Sequence, residues 1–313
     1  MSRIVYVTPA VGSLSGGNKM VFRHVEALVA LGYRAVVRGP AHVPAPSWFR
    51  HETPVEDASA PLDPDDILVL PEDAPIALQR LADAPNRKVI FCQNPLGITG
   101  LGLATLPPET RQAYRTFMAC GVGTAELIAR YFDYDLISVV PAFADERLFR
   151  PQPKQQVIAC TPRKRPAELR AIRYMFERLH PGAAAWRWEA METASEAETA
   201  AALGRASVFL SLARMEAVSL TILEAMACEC LVAGFTGIGP REYTTSINGF
   251  WVDEDDCDAA ARALVRAVTL AEQGGGAAVL MRHAARATAA HWTHAGCVEA
   301  LGAFWRDQMG VTP

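Results

Sequence analysis

Phe149-Arg150-Pro151-Gln152-Pro153-Lys154 interrupts a regular alternation of strand-like and helix-like segments, and Gln156–Cys160 begins it again. Two prolines among polar residues suit a linker. Downstream the order reads strand Gln156–Cys160, helix Ala167–Leu179, strand Ala185–Ala190, helix Ser195–Leu203, strand Ser207–Leu212, helix Leu220–Ala227, then strands Cys230–Gly234 and Gly249–Val252. Helical periodicity closes the chain over Cys257–Ala271, Ala277–Ala290 and His294–Gln308. Upstream, strands are expected at Arg3–Thr8, Arg34–Arg38, Asp66–Leu70, Lys88–Cys92, Cys120–Val122 and Leu136–Val140. Met20, Val21, Phe22, Val25, Leu28, Val29 and Leu31 recur at helical spacing, and helices are expected at Ile76–Ala82, Glu109–Met118 and Ala125–Phe132. Residues 39–65, rich in Pro and His, read as a long loop with room for one edge strand. Strand and helix alternating at this density mean parallel sheets covered on both faces. Two runs of the pattern give an α/β protein of two facing, Rossmann-like, doubly wound domains, 1–150 and 151–290, with a final helical segment over 291–313. Ligands of such sheets bind at the carboxyl ends of the strands, so the site is expected in an interdomain cleft.

The composition narrows the class. At 313 residues, 50% hydrophobic and 20% charged, the chain has ample material for two cores and too much apolar content for disorder. The formal net charge is −4, with acid and base balanced in both halves, which argues against nucleic acid as a partner. Met1-Ser2-Arg3 runs straight into Ile4-Val5-Tyr6-Val7 and stops at Thr8-Pro9, unlike a secretory signal. No apolar run approaches the ~18 residues of a membrane-spanning helix. Seven scattered cysteines, an odd number, fit a reducing compartment better than a disulfide framework. A cytoplasmic enzyme is expected, with peripheral contact at the inner face of a membrane as the most it would make with lipid.

Three features point to a phosphorylated, ribose-bearing ligand. Gly12-Ser13-Leu14-Ser15-Gly16-Gly17 lies between a strand and a helix start, where small residues let backbone N–H groups approach an anion. A tight packing turn explains it equally well, and the spacing is neither that of a dinucleotide fold nor of a Walker loop. Thr161-Pro162-Arg163-Lys164-Arg165-Pro166 puts three consecutive cations at a helix N-terminus, against the macrodipole. A bound diphosphate would relieve that conflict; a solvated basic knuckle is the plainer alternative. Seven residues separate Glu216 from Glu224 within Ser211–Cys228, one after a buried strand and one inside the following helix. Carboxylates so placed accept paired hydrogen bonds from vicinal sugar hydroxyls.

With these segments in view, nearly the whole chain resembles the retaining GT-B glycosyltransferases of family 4, the glycosyl transferases group 1. The Glu216-x7-Glu224 stretch looks like the family signature, and Leu223–Cys228 matches its helix. Val139–Pro151 is similar to the interdomain segment, Ser15-Gly16-Gly17-Asn18-Lys19 to the Gly-Gly loop, and Gly237–Glu242 with Asn248-Gly249 to the G-G-x-x-E … N-G stretch. The resemblance implies a hexose transferred, with retention and without a metal, from a nucleotide-diphosphate sugar to a saccharide or lipid-linked acceptor, as in polysaccharide biosynthesis. No cofactor beyond that donor substrate is implied. Glu216 would contact the donor sugar, Glu224 the ribose, and Arg163, Lys164 and Arg165 the diphosphate, without deciding which cation does what. Gly16 and Gly17 would approach the phosphate and acceptor, while Ser219, Leu220 and Gln93 would complete the donor contacts. The final helical stretch would cross back to the first domain.

The chain departs from the family at several positions. Its cations are adjacent rather than five apart, and Gln93-Asn94-Pro95 stands where many members carry His; an amide hydrogen-bonds a sugar hydroxyl but carries no proton. Glu216-Ala217-Val218-Ser219-Leu220 lacks both glycines of E-G-F-G-L. Two alternatives therefore stand beside the transferase: a non-catalytic nucleotide-sugar-binding protein, and a GT-B sugar-nucleotide epimerase. Elsewhere the bland readings lead. His291 and His294 read as cap or surface residues rather than metal ligands, Cys228 and Cys230 as buried thiols, and Asp253-Glu254-Asp255-Asp256 as a helix entry. Trp186 and Trp188 read as packing ahead of base-stacking, and Lys19 and Arg23 as flanks of a buried helix ahead of a membrane face.

Overall fold

The structure, a computed structural model, describes residues 2–9, 12 and 14–313. The chain divides into two compact units, Met1–Ala142 with Ala295–Pro313, and Phe143–His294. In the first, β1 (Ile4–Val7), β2 (Ala35–Gly39), β3 (Val55–Asp57), β4 (Ile67–Pro71), β5 (Arg87–Cys92), β6 (Thr116–Ala119) and β7 (Leu136–Val139) form a sheet of order β3-β2-β1-β4-β5-β6-β7. Every pairing in it is parallel. Parallel strands need crossovers, supplied here by α1 (Gly16–Ala30), α2 (Pro75–Leu81), α3 (Pro108–Arg111) and α4 (Val122–Tyr131). Helices on both faces bury the strands, and Ile67-Leu68-Val69-Leu70 is accordingly apolar without alternation. The strand order reverses between β1 and β4, which places a crevice at their carboxyl ends.

The second unit repeats the plan. β8 (Gln155–Cys160), β9 (Arg187–Ala190), β10 (Ala206–Leu212), β11 (Leu231–Phe235) and β12 (Phe250–Val252) pair in parallel in the order β12-β11-β10-β8-β9, reversing between β8 and β10. α5 (Pro166–Leu179) and α8 (Cys257–Gln273) pack a core with Ile158, Leu210 and Phe235. α6 (Glu196–Arg205), α7 (Leu220–Ala227) and α9 (Gly275–Ala289) cover the other face around Phe209, Leu223 and Met226. Residues 143–150 group with this unit: Phe149 and Ala144 sit in its core, and the Ala144 N–H donates to the Trp292 carbonyl at 3.0 Å.

One expected pair of elements is shifted. Instead of a helix over Glu109–Met118 and a strand over Cys120–Val122, the helix is the single turn of α3, the strand is Thr116–Ala119, and Val122 opens α4. A four-residue apolar run is ambiguous between helix and strand. Here pairing with Ile90–Cys92 decides it, and it buries Phe117, Met118 and Ala119 completely. The region 39–65 does contain one edge strand, β3.

The end of the chain completes the first unit. α10 (His294–Ala303) and the following turn bring Cys297 and Trp305 against α1 and β1. His24, fully buried on α1, stacks on Phe91 at 4.5 Å, with Tyr6 Oη 3.2 Å from Nδ1 and Cys297 Sγ 3.7 Å from Nε2. A neutral imidazole, one donor and one acceptor, serves both neighbours. Burial pulls its pKa down to about 3. The unfolded chain binds that proton near pH 6.5, so the stability is whole above pH 6.5 and is lost as pH falls towards 3. The slope is about 1 kcal/mol per pH unit. Urea midpoints measured from pH 7 to pH 4 will therefore fall more steeply in the wild type than in His24→Gln; parallel slopes would refute this account.

Candidate functional site

In the second unit the strand-order reversal gathers the residues singled out from sequence. β8 ends at Cys160, and its chain continues through a 3-10 turn, Pro162–Lys164, into α5. β10, hydrogen-bonded beside β8, ends at Leu212 and continues through residues 213–219 into α7. The two loops meet: Lys164 Nζ lies 2.5 Å from Glu216 Oε1, with the side chains 43% and 24% exposed. Arg163 is exposed beside them. Such a pair stabilises by less than about 1 kcal/mol, and two of the three ammonium donors are left for other partners.

The loop carrying Glu216 is shaped by backbone. Met215 takes a left-handed φ of 50°, uncommon for a side chain of its size, immediately before the carboxylate. The Gly239 N–H donates to the Glu216 carbonyl at 2.9 Å. A Cβ on Gly239 would fall 1.8 Å from the Ala217 carbonyl oxygen, so only glycine permits that approach. Tyr243 Oη bonds both the N–H and the carbonyl of Ser219, each at 3.3 Å, at the start of α7. Asn248 ties the same region together: Nδ2 donates to the Tyr243 carbonyl and to Thr288, and Oδ1 accepts from the Thr245 N–H and Trp251 Nε1. The glycine-rich and Asn-Gly stretches thus buttress the Glu216 loop. Ser219 and Leu220 form its exit into α7, and Glu224 sits one turn further in, 4% exposed.

Arg165 does not share the exposed position of its two neighbours. Its side chain is 0% exposed, with Glu168 Oε1 at 3.1 Å, Glu254 Oε2 at 2.7 Å and Asp255 also bonded, and its guanidinium lies 4.7 Å from the centre of the Phe235 ring. Of the three cations, it is turned inward, and Arg163 and Lys164 face solvent. The reason is the acidic run after β12, which is more than the helix entry expected from sequence. Asp256 does cap α8, accepting from the Ala259 N–H at 2.9 Å, while Glu254 and Asp255 hold Arg165.

In the first unit, Gly16 and Gly17 form the opening turn of α1, whose N-cap Ser15 accepts from the Asn18 N–H at 3.1 Å. Ser13 of the expected glycine-rich loop lies outside the described residues. Gln93, directly after β5, donates from Nε2 to the Gly17 carbonyl at 3.1 Å, so Gln93 and the Gly-Gly pair converge. A cavity of about 550 Å³ opens instead at the opposite edge of this sheet, at the amino ends of β5, β6 and β7. Its cations are occupied: Arg87 bonds the Met309 carbonyl, Lys88 the Ala84 and Asn86 carbonyls, and Arg115 pairs with Asp135.

The remaining candidates take structural places. Trp186 donates to Glu272 at 2.8 Å and Trp188 packs edge-on to Phe176, so both belong to the core beside α5 and α8. Arg23 pairs with Glu26, and Lys19 is buried. The His294 N–H donates to Glu146, and its ring meets Phe143 edge-on. Cys228 and Cys230 are buried, and all seven cysteines are free. Among the described residues, no group of three or more His, Cys, Asp or Glu is placed to hold a metal, and no helix is long and apolar enough to cross a membrane. Sequence reasoning missed Tyr243 and the Glu254–Asp255 clamp, neither of which has a local signal.

Residues 150–269 match the family model of glycosyl transferases group 1. An alpha-1,6-glucosyltransferase of Actinobacillus pleuropneumoniae serotype 7 (strain AP76) is 25% identical over 215 residues, covering 65% of this chain and 63% of that relative's length. Among solved structures, HepE of Anabaena, in complex with UDP and glucose, superposes with a TM-score of 0.74 at 13% identity over 99% of this chain and 100% of that one. A glycosyltransferase of Rickettsia africae ESF-5 gives 0.69 at 14% identity, over 98% of each chain. The chain therefore has the GT-B fold, and its residues 150–269 match the model of the glycosyl transferases group 1.

Proposed function

We propose that the chain is a retaining, metal-independent glycosyltransferase that moves a hexose from a nucleoside-diphosphate sugar to a saccharide or lipid-linked hydroxyl. The observation that carries this reading is the meeting of Lys164 and Glu216 across the β8–β10 reversal, beside exposed Arg163 and above Glu224 in α7. Glu224 takes the ribose hydroxyls and Glu216 the hexose, as carboxylates accepting hydrogen bonds. Arg163 and Lys164 take the diphosphate, and Arg165 holds the turn from within. Chemistry then needs only electrostatics: as the bond from the anomeric carbon to the β-phosphate oxygen breaks, the two cations meet the growing negative charge. The acceptor oxygen bonds the anomeric carbon on the face just vacated, and its proton passes to the departing phosphate. Within the first unit, Gly16, Gly17 and Gln93 offer hydrogen-bonding groups to a sugar or phosphate, the Gln93 amide without carrying a proton. HepE's complex with UDP and glucose and the glucosyltransferase relative support a donor of this chemical class.

Calorimetry with UDP, GDP, dTDP, ADP and CMP in the presence of EDTA tests the donor half. One diphosphate should bind, and Glu224→Ala and Arg163→Ala should each weaken it by about tenfold or more, the loss of a charge-assisted hydrogen bond. Chelator-sensitive binding would sink the metal-independent mechanism. Binding without transfer or donor hydrolysis would favour the non-catalytic alternative, and epimerised donor formed without acceptor the epimerase.

The three cations should also separate by stability. Arg165→Met removes the shared partner of three carboxylates, Glu168, Glu254 and Asp255, and should cost about 3 kcal/mol in urea unfolding. Arg163→Met should stay within about 0.5 kcal/mol while losing nucleotide affinity. The reverse order would remove Arg163 from the diphosphate site.

A further inference from the structure

The carboxyl edge of the first unit holds an acid that none of the readings above uses. Glu72 directly follows β4, one of the two strands at which the sheet order reverses, and it is 2% exposed. The segment after β5 closes over it. The Leu103 N–H donates to the Glu72 carbonyl at 3.0 Å, and a Cβ on Gly102 would fall 1.7 Å from that same oxygen. A Cβ on Gly97 would stand 3.2 Å from Glu72 Oε1. Two glycines therefore let residues 97–103 lie directly on the backbone and carboxyl of Glu72. The same segment begins at Gln93, whose side chain is bonded to the Gly17 carbonyl.

Among the described residues, no cation balances this carboxyl. Asp73 follows it, Cys92 on β5 and Cys120 after β6 lie nearby, and residues 94–106 contain no ionisable side chain. Burial and the neighbouring Asp73 push its pKa up to about 8, against the pull of the backbone N–H groups of Glu72, Gln93 and Asn94. Near neutral pH it is an acid in its uncharged form, able to accept from those amides without bringing a bare charge under the loop.

We infer that Glu72 is a positioning residue whose buried carboxyl keeps the 93–103 segment closed over the end of β4, and so fixes Gln93 against Gly17. The assignment of Gln93 to the sugar rests on the proposed function; the closure does not. The pH dependence follows from linkage. With the segment closed the acid titrates near 8, and opened to water it titrates near 4.5, so closure is tightest below about pH 4.5. It weakens as pH rises towards 8 and then levels off.

Hydrogen exchange on the full-length protein reads this directly. After correction for intrinsic rates, protection of the Gly97–Leu103 amides should fall more than tenfold between pH 5 and pH 8 in the wild type and flatten beyond. Glu72→Gln, neutral at every pH, should keep that protection constant, whereas Glu72→Ala should lose it throughout while the amides of β1 and β5 stay protected. A flat wild-type profile, or the same decline in Glu72→Gln, would overturn the inference. In a transfer assay Glu72→Ala should lower kcat/KM for the donor sugar at unchanged affinity for the nucleoside diphosphate, and full activity would remove the positioning role. A chain that transfers no sugar would defeat the proposed function and leave the exchange profile to decide closure by itself.

Discussion

Arg165 carries a charge that water does not reach, and it keeps that charge because three carboxylates converge on it. Glu168 comes from the first turn of α5, and Glu254 and Asp255 come from the loop after β12, nearly ninety residues along the chain. The Phe235 ring at the end of β11 closes the remaining side. Removing a partner from such a group is costly because it leaves the buried guanidinium charge less compensated. The guanidinium therefore pins the carboxyl ends of β8, β11 and β12 to one another. With Arg165 committed inward, the chain that precedes it has to turn Arg163 and Lys164 outward, at the position where β8 meets β10.

That arrangement resolves the electrostatic conflict seen in Arg163-Lys164-Arg165. Three cations at a helix N-terminus are unfavourable against the macrodipole. One is neutralised from below by acidic residues of another loop and one is paired with Glu216 across the strand reversal. Glu216 is in turn held by backbone: a left-handed Met215 before it, the Gly239 N–H on its carbonyl, and Tyr243 on the exit into α7. Few side-chain contacts could hold a loop so closely. Main-chain approach at Gly239 does, and it replaces the glycines that the family pattern would have put inside the loop itself.

In the first unit, two buried titratable groups do without a charged partner. His24 stays neutral between Tyr6 and Cys297, and Glu72 is held towards its neutral form by burial beside Asp73. One joins the end of the chain to α1 and β1, and the other lies under the segment after β5. Both work through desolvation, which disfavours the charged form whichever its sign. Among the described residues neither has a counter-ion to compensate, so both make the unit's internal contacts sensitive to pH.

The order of elements was legible in the sequence because both sheets are parallel. Strands buried on both faces read as short apolar runs, and crossover helices separate them at regular intervals, so two doubly wound units follow from Ile67–Leu70, Ser207–Leu212 and their neighbours alone. The Glu216 position and the cation run were legible too, since each follows a strand end, where parallel sheets present side chains, and Glu224 lies in the helix that comes next. What failed locally was the four-residue strand Thr116–Ala119, where propensity is silent and pairing with β5 decides. Tertiary structure alone settled which arginine is buried, because Glu254 and Asp255 are distant in sequence. It alone brought Gln93 to Gly17 and sealed Glu72 beneath Gly97 and Gly102. Sequence determines which residues stand at the ends of strands; burial and charge pairing depend on contacts between segments that only the folded chain brings together.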